Sequence, residues 1–219
     1  MGTEGPAAAV PRIIAFDLDG TMWWPEMYML TGGAPFRRDA QGAVYDSRGE
    51  RVRLLHDTLE IFQQLAADPA FEDTEIAYVS RTEYPEWAVP CLKLFHVPVP
   101  DGGRSHYAHI ADGARRPLTL HDMGRHSEIY PGSKLTHFRR IAKDSGVDFS
   151  DMLFFDNENW NCREVSQLGV VCVHTPRGMT NAVWREGLAK FAAARGGSAA
   201  AAVPAARGQA EGGGKGKRR

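Results

Sequence analysis

The stretch Ile13-Ile14-Ala15-Phe16-Asp17-Leu18-Asp19-Gly20-Thr21 decides the fold. Its apolar start is continuous rather than alternating. Arg12 to Leu18 therefore reads as a strand buried on both faces, as in a parallel sheet. The strand then ends in two carboxylates, which are rarely buried without a partner. Successive side chains of an extended chain alternate, so Asp17 and Asp19 face the same way. Two acids held that close repel, and a hard cation relieves the repulsion. Mg2+ suits such a place, since it takes oxygen ligands in octahedral geometry and usually keeps water or phosphate in the set. Gly20 permits a sharp turn and a close approach of the backbone.

Outward from this strand, the 219 residues fit one domain with a sizeable core. Hydrophobic residues make up 43% and charged residues 24%, ordinary values for a soluble globular chain. A formal net charge of -1 gives no global field toward nucleic acid or an acidic membrane, and neither is expected as a partner. Cys91, Cys162 and Cys172 form no CxxC pair and sit among apolar residues, so they read as core residues in a reducing compartment. The N-terminus has neither a basic n-region nor a long apolar run, and no segment is long enough to cross a bilayer. A cytoplasmic monomer is expected, with the nucleus as the alternative location.

Strand and helix signals alternate along the chain. After a segment of small hairpins over 22–53, Leu55, Leu59, Phe62 and Leu65 repeat at helical spacing behind Asp57 or Thr58 as cap. Glu75 to Ser80 reads as a second strand. The helix that follows carries Trp87, Cys91, Leu94 and Phe95, and Pro90 should kink or shorten it. Residues 96–126 are rich in Gly, Asp, Arg and Pro and hold five of the eight histidines, which predicts a long loop. Order returns at Glu128. Ser133 caps a helix with Leu135, Phe138, Ile141 and Ala142 inward, and Asp151 to Asp156 forms a third strand. A helix with Cys162, Val165 and Leu168 stops at Gly169. Residues 170–174 make a fourth strand, and Trp184, Leu188 and Phe191 mark the last helix. This predicts an α/β fold, a parallel sheet with helices on both faces. Residues 1–10 are expected to be a flexible N-terminus and 196–219 a disordered tail of Ala, Gly and basic residues.

In such sheets ligands bind outside the carboxyl ends of the strands. Asp17, Ser80 and Asp156 all fall there. Ser80 with the amides after it, and Lys134 in the first turn of a helix, are donors for an anion. Acids, a divalent cation and anion donors together make a phosphate site.

The fragments FDLDGT, SRTE, EIYPGSK-THF and FFD-EN-N extend the pattern. In that order they resemble the four motifs of the haloacid dehalogenase (HAD) superfamily, and more closely its magnesium-dependent phosphatase family, over residues 11 to 195. The resemblance implies a Rossmann-like HAD domain without a large cap, with Mg2+ as cofactor. It implies Asp17 as nucleophile forming an aspartyl-phosphate, and Asp19 as general acid and then base. Ser80 and Arg81 would bind the phosphoryl oxygens, and Lys134 would offset the charge of Asp17 and the phosphate. The metal would lie among Asp17, Asp19, Asp156 and Asn157. An open site suits phosphorylated substrates from small molecules to proteins, including phosphotyrosine and protein-linked sugar phosphates.

Two departures stand out. The fourth motif reads Asp156-Asn157 where the family has paired aspartates, which points to weak metal binding. The 96–126 stretch, taken as an insertion over 96–127, is longer than the family needs and is expected at the rim of the site. Its His106, His109, His121 and His126 read as a polar surface loop rather than a metal site, since no recognisable ligand spacing is completed. The competing functional readings are a phosphate-binding or scaffold protein that lost turnover through Asn157, and a phosphotransferase.

Overall fold

The computed structural model describes residues 9–98, 105–107 and 116–196. The first half of the chain comprises β1 (Ile13–Phe16), β2 (Trp23–Trp24), β3 (Arg37–Arg38), β4 (Val44–Tyr45), β5 (Arg51–Leu54), α1 (Thr58–Ala67), β6 (Glu75–Ser80) and α2 (Pro85–Leu94). The second half comprises α3 (Leu120–Met123), β7 (Gly124–Ile129), α4 (Lys134–Ser145), β8 (Met152–Asp156), α5 (Asn159–Ser166), β9 (Val171–His174) and α6 (Asn181–Ala194).

β1 is the axis of the molecule. The main sheet runs β7-β6-β1-β8-β9, with every neighbouring pair parallel. All four β1 residues are fully buried, and their alternation divides them between two cores. Ile14 and Phe16 face α1, α2 and α6; the Phe16 ring lies 5.0 Å from that of Phe62 and stacks on Phe155 at 5.5 Å. Ile13 and Ala15 face α4 and α5, where Phe138, Ile141 and Val165 are buried. A strand buried on both faces has no solvent side to show, which is why its sequence is continuously apolar.

The chain first builds outward from β1 through β6 to β7. It then returns through α4 to place β8 on the other flank of β1. Reversal of strand order at β1 opens a crevice beyond its carboxyl end. The first residue of that returning helix is Lys134.

The hairpin segment forms a second, antiparallel sheet in the order β2-β5-β4-β3. Its connections are organised by the fully buried Asp46. One carboxylate oxygen accepts from the amides of Arg48 (2.9 Å) and Glu50 (2.7 Å), and the other from the Gly32 amide (2.8 Å). Three backbone donors compensate the burial of that charge.

Two expectations are corrected. The predicted loop over 96–126 ends in a strand, since Gly124–Ile129 pairs with β6 at the sheet edge. An edge strand with Gly, Arg, His and Ser on its half-open positions shows no apolar run, so its period was hidden. In α4 the fully inward positions are Lys134, His137, Phe138 and Ile141; Leu135 is only half-buried, because the helix turns its lysine toward the strand ends.

Cys91, Cys162 and Cys172 are buried free thiols. Among the described residues no helix is long and apolar enough to cross a membrane. Residues 1–8, 99–104, 108–115 and 197–219, which include most of the expected flexible ends and His109, lie outside the described residues.

Candidate active site

Because β1 lies between β6 and β8, the strand ends bring Ser80 and Asp156 to either side of Asp17. The Lys134 ammonium fills the space between them. Its Nζ donates to Asp17 Oδ1 (2.6 Å), Asp156 Oδ2 (2.5 Å) and the Val79 carbonyl (3.0 Å), and its side chain is 1% exposed. All three ammonium protons are therefore used. Ser133 caps the helix that delivers it, accepting from the Leu135 amide at 3.2 Å.

Asp156 was expected at the metal, and its contacts are otherwise. Oδ2 accepts from Lys134 and from Asn161 Nδ2 (3.0 Å); Oδ1 accepts from the Glu158 amide (2.7 Å) and Asn161 (3.2 Å). Both oxygens are spent on donors, and the residue lies wholly buried beneath Lys134.

The second oxygen of Asp17 has a different neighbourhood. Oδ2 accepts from the Thr21 hydroxyl at 3.0 Å, and Thr21 Oγ1 in turn accepts from the Asn157 amide at 2.9 Å. The side-chain oxygen of Asn157 lies 3.2 Å from the Asp19 carbonyl, 3.2 Å from Thr21 Oγ1 and 3.3 Å from Asp17 Oδ2. With the Asn157 amide turned over, its nitrogen stands at that point and donates to all three; turned the other way, its oxygen joins them. That second arrangement is satisfied by a hard cation. The residues present fit Mg2+ through Asp17, the Asp19 main chain and Asn157. Gly20 makes the approach possible: its φ is +71°, and a Cβ there would come within 2.4 Å of the Asn157 side chain.

Asp19 faces the same cleft as Asp17, with Leu18 turned into the core between them. Its Oδ1 accepts from Trp23 Nε1 (2.7 Å) and the Met27 amide (3.0 Å). The second sheet thereby fixes it, since Trp23 belongs to β2. Ser80 is buried, with its hydroxyl oxygen accepting from the Thr82 amide at 3.2 Å. The Arg81 guanidinium lies 4.5 Å from the centre of the Trp160 ring. Asp17, Asp19, Ser80, Arg81, Lys134 and Asn157 all line one cleft of about 490 Å³, with Glu26, Tyr28, Glu158 and Trp160 at its mouth. A larger cleft of about 660 Å³ lies elsewhere and has no carboxylate in its lining among the described residues, so size alone does not locate this chemistry.

Burial pushes the Asp17 carboxyl above the usual carboxylate range; Lys134 opposes this, and Asp156 and Asp19 reinforce it. Burial alone would lower the Lys134 pKa, but Asp17 and Asp156 outweigh it and hold the amine protonated. Two carboxylates share one ammonium, so the buried group favours an added positive charge. Asp19 is also raised, by burial, against the hydrogen bonds from Trp23, Met27 and Thr82.

Sequence reasoning overlooked Thr21, Trp23, Thr82 and Asn161. Thr21 and Asn161 stand within the quoted motifs, yet nothing in their spacing tells which partner they take. The described residues of 96–126 do not line the cleft. His106 instead binds the Asp68 carbonyl beyond α1 at 2.8 Å, and His126 pairs with Glu75 at 2.6 Å. Among the described residues, no group of three or more His, Cys, Asp and Glu side chains is arranged to hold a metal.

The Acid Phosphatase family model matches residues 9–194. The chain is 34% identical to human magnesium-dependent phosphatase 1 over 193 residues, covering 86% of this chain and 91% of that protein. It is 32% identical to a HAD-like hydrolase superfamily protein of Schizosaccharomyces pombe, covering 73% of this chain and 83% of the relative. Among solved structures, the phosphatase-containing N-terminal part of a Bacteroides fragilis protein, complexed with Mg, aligns with a TM-score of 0.47 at 16% identity. That alignment covers 77% of this chain and 37% of the other.

Replacing Lys134 by Met should destabilise the fold by about 3–5 kcal/mol at neutral pH, the usual penalty for stranding one side of a buried ion pair. The Asp17 carboxyl, already raised, would then bind a proton more readily in the folded chain than in the unfolded one. The deficit relative to wild type should therefore shrink as the pH falls toward the ordinary carboxylate range. Urea unfolding of both proteins near pH 7.5 and pH 5.5 checks this; a deficit that does not change with pH would contradict it.

Proposed function

The chain belongs to the Acid Phosphatase family of HAD-like hydrolases, and on that premise we propose that it is a Mg2+-dependent phosphatase acting through an aspartyl-phosphate. The observation that supports this reading best is the split environment of Asp17. One oxygen faces a buried ammonium, and the other faces the Thr21 hydroxyl and the Asn157 side chain at the open cleft. A carboxylate held this way is fixed in orientation, and a dianionic phosphate beside it is offset by charge on both flanks.

In the proposed sequence a carboxylate oxygen of Asp17 attacks phosphorus, and the bond from phosphorus to the ester oxygen breaks. Asp19, whose pKa burial raises, gives its proton to that leaving oxygen. It then takes a proton from water, whose oxygen attacks phosphorus and releases Asp17 and inorganic phosphate. Ser80 and the Arg81 amide hold the phosphoryl oxygens. Lys134 offsets the charge of Asp17 and the bound phosphate, and Asp156 with Asn161 positions Lys134. Mg2+, held by Asp17, the Asp19 carbonyl and Asn157, would supply a fixed positive charge to the phosphoryl group.

The open cleft, with Tyr28 65% and Trp160 43% exposed at its mouth, suits bulky esters such as phosphotyrosine or protein-linked sugar phosphates. A phosphate-binding protein without turnover is the competing reading, and the feature favouring it is the neutral Asn157.

Turnover of p-nitrophenyl phosphate with and without Mg2+ separates the two. Asp17→Asn should lower it by roughly a thousandfold or more with the melting temperature retained. Normal hydrolysis by that variant would sink the covalent mechanism, and no hydrolysis by wild type at saturating Mg2+ would favour the binding protein.

A carboxylate at position 157 would add a formal charge at the cation. Attraction between unit charges a few ångströms apart is worth about 1 kcal/mol in water and about 4 near a protein surface. Asn157→Asp should accordingly lower the Mg2+ midpoint for activity by roughly one to three orders of magnitude. An unmoved midpoint would show that residue 157 is not a charge-sensitive ligand.

The hydrogen bond from Trp23 stabilises ionised Asp19. Trp23→Phe removes it and should raise the Asp19 pKa further, so the acid survives to higher pH. The alkaline limb of the kcat/KM profile should shift upward, and a downward shift would contradict Asp19 as the proton donor.

A further inference from the structure

Asp17 is the one carboxylate among the groups that fit Mg2+, and its other oxygen already faces the Lys134 ammonium. The Asp19 main chain and Asn157 carry no formal charge, and the buried Asp156 is committed to Lys134 and Asn161. A divalent ion held by this set is short of negative charge, so the surroundings of Asn157 matter.

Glu26, Glu83 and Glu158 line the same cleft. A Cβ on Gly20 would lie 2.4 Å from Asn157 Nδ2 and 3.4 Å from Glu26 Oε1. Because residue 20 has no side chain, Glu26 and Asn157 border one small space. The backbone around Glu26 is fixed there: the Met27 amide donates to Asp19 Oδ1 (3.0 Å), and the Met29 amide to the Glu26 carbonyl (2.9 Å). Glu158 is exposed and accepts from the Trp160 indole N–H. Glu26 is half-buried, and its charge meets the like charges of Asp19 and Glu158. Among the described residues no ion pair offsets it. Beside a site for a dianionic phosphate, such a carboxylate would repel the substrate. A cation between them reverses that sign.

We propose that Glu26 supplies the negative charge that Asn157 lacks and acts as a positioning residue of the Mg2+ site. The proposal rests on the Mg2+-dependent reading above. Mg2+ keeps several waters in its octahedral shell, so a carboxylate can hold it by accepting from those waters without touching the ion. Glu26 also bears on the orientation of Asn157. When the Asn157 oxygen is turned toward Asp17, its nitrogen borders the space shared with Glu26 Oε1. A negative charge there favours the N–H group, and so favours the orientation that offers oxygen to the cation.

The test is calorimetric titration of the full chain with Mg2+ alone, without substrate. Glu26→Gln should weaken Mg2+ binding by about 10–100-fold, the usual loss when an outer partner of a metal shell is removed. Glu158→Gln should change it by no more than about threefold, since an exposed charge is screened. Asn157→Asp added to Glu26→Gln should restore the affinity of wild type or exceed it, because the carboxylate has only changed its place. Without Mg2+, Glu26→Gln should melt no lower than wild type, as it loses only repulsion. Unchanged affinity in Glu26→Gln, equal losses in Glu26→Gln and Glu158→Gln, failure of the rescue, or a lower melting temperature without Mg2+ would each overturn the proposal and leave the phosphatase reading standing. No Mg2+ binding by wild type would overturn the cation site itself, and the proposal with it.

Discussion

A buried ammonium between two buried carboxylates is the constraint on which the rest of the structure depends. Each of these charges costs several kcal/mol to remove from water, and only close, fully hydrogen-bonded pairing offsets that cost. Lys134 meets the condition with three acceptors, and Asp156 meets it with Lys134, Asn161 and a backbone amide. The arrangement holds only if three strands keep their order and register. β6 supplies the Val79 carbonyl, β1 leads into Asp17, β8 ends at Asp156, and the crossover from β7 must begin its helix over them. The two apolar layers on either side of β1 keep water from this group, and thereby make the pairing strong.

The same constraint explains the polarity of Asp17. With Oδ1 committed to the ammonium, Oδ2 is left toward Thr21 and Asn157. Thr21 can stand there because the chain turns sharply after Asp19, with Gly20 in a left-handed conformation. The turn leads directly into β2, so the second sheet grows from the site and holds it. Trp23 and the Met27 amide fix Asp19 from that side, while Ser80 and Arg81 approach from β6. Main sheet and second sheet each orient one of the two opening carboxylates.

Much of this was legible in the chain. The apolar run into Asp17 and Asp19, the turn at Gly20, Ser80 at a strand end and Lys134 behind a Ser cap are local patterns. The geometry of a strand or a helix start converts each into a position. Less legible were the two-residue strands of the second sheet, too short to show a period, and β7. An edge strand is buried by one neighbour only, so its residues need not be apolar.

What the sequence by itself determined is the alternation of strands and helices and the set of residues at the strand ends, because local periodicity and turn chemistry decide both. What only the tertiary structure decided is which oxygen faces which partner. Asp156 reads as one more acid at a strand end, and whether it meets a cation or Lys134 depends on the path of a crossover helix 22 residues away. Thr21 meets Asn157 across 136 residues of sequence, a contact that no local spacing records. Hydrogen bonds and ion pairs are short-ranged and directional, so their partners are fixed only when packing brings distant segments within about 3 Å.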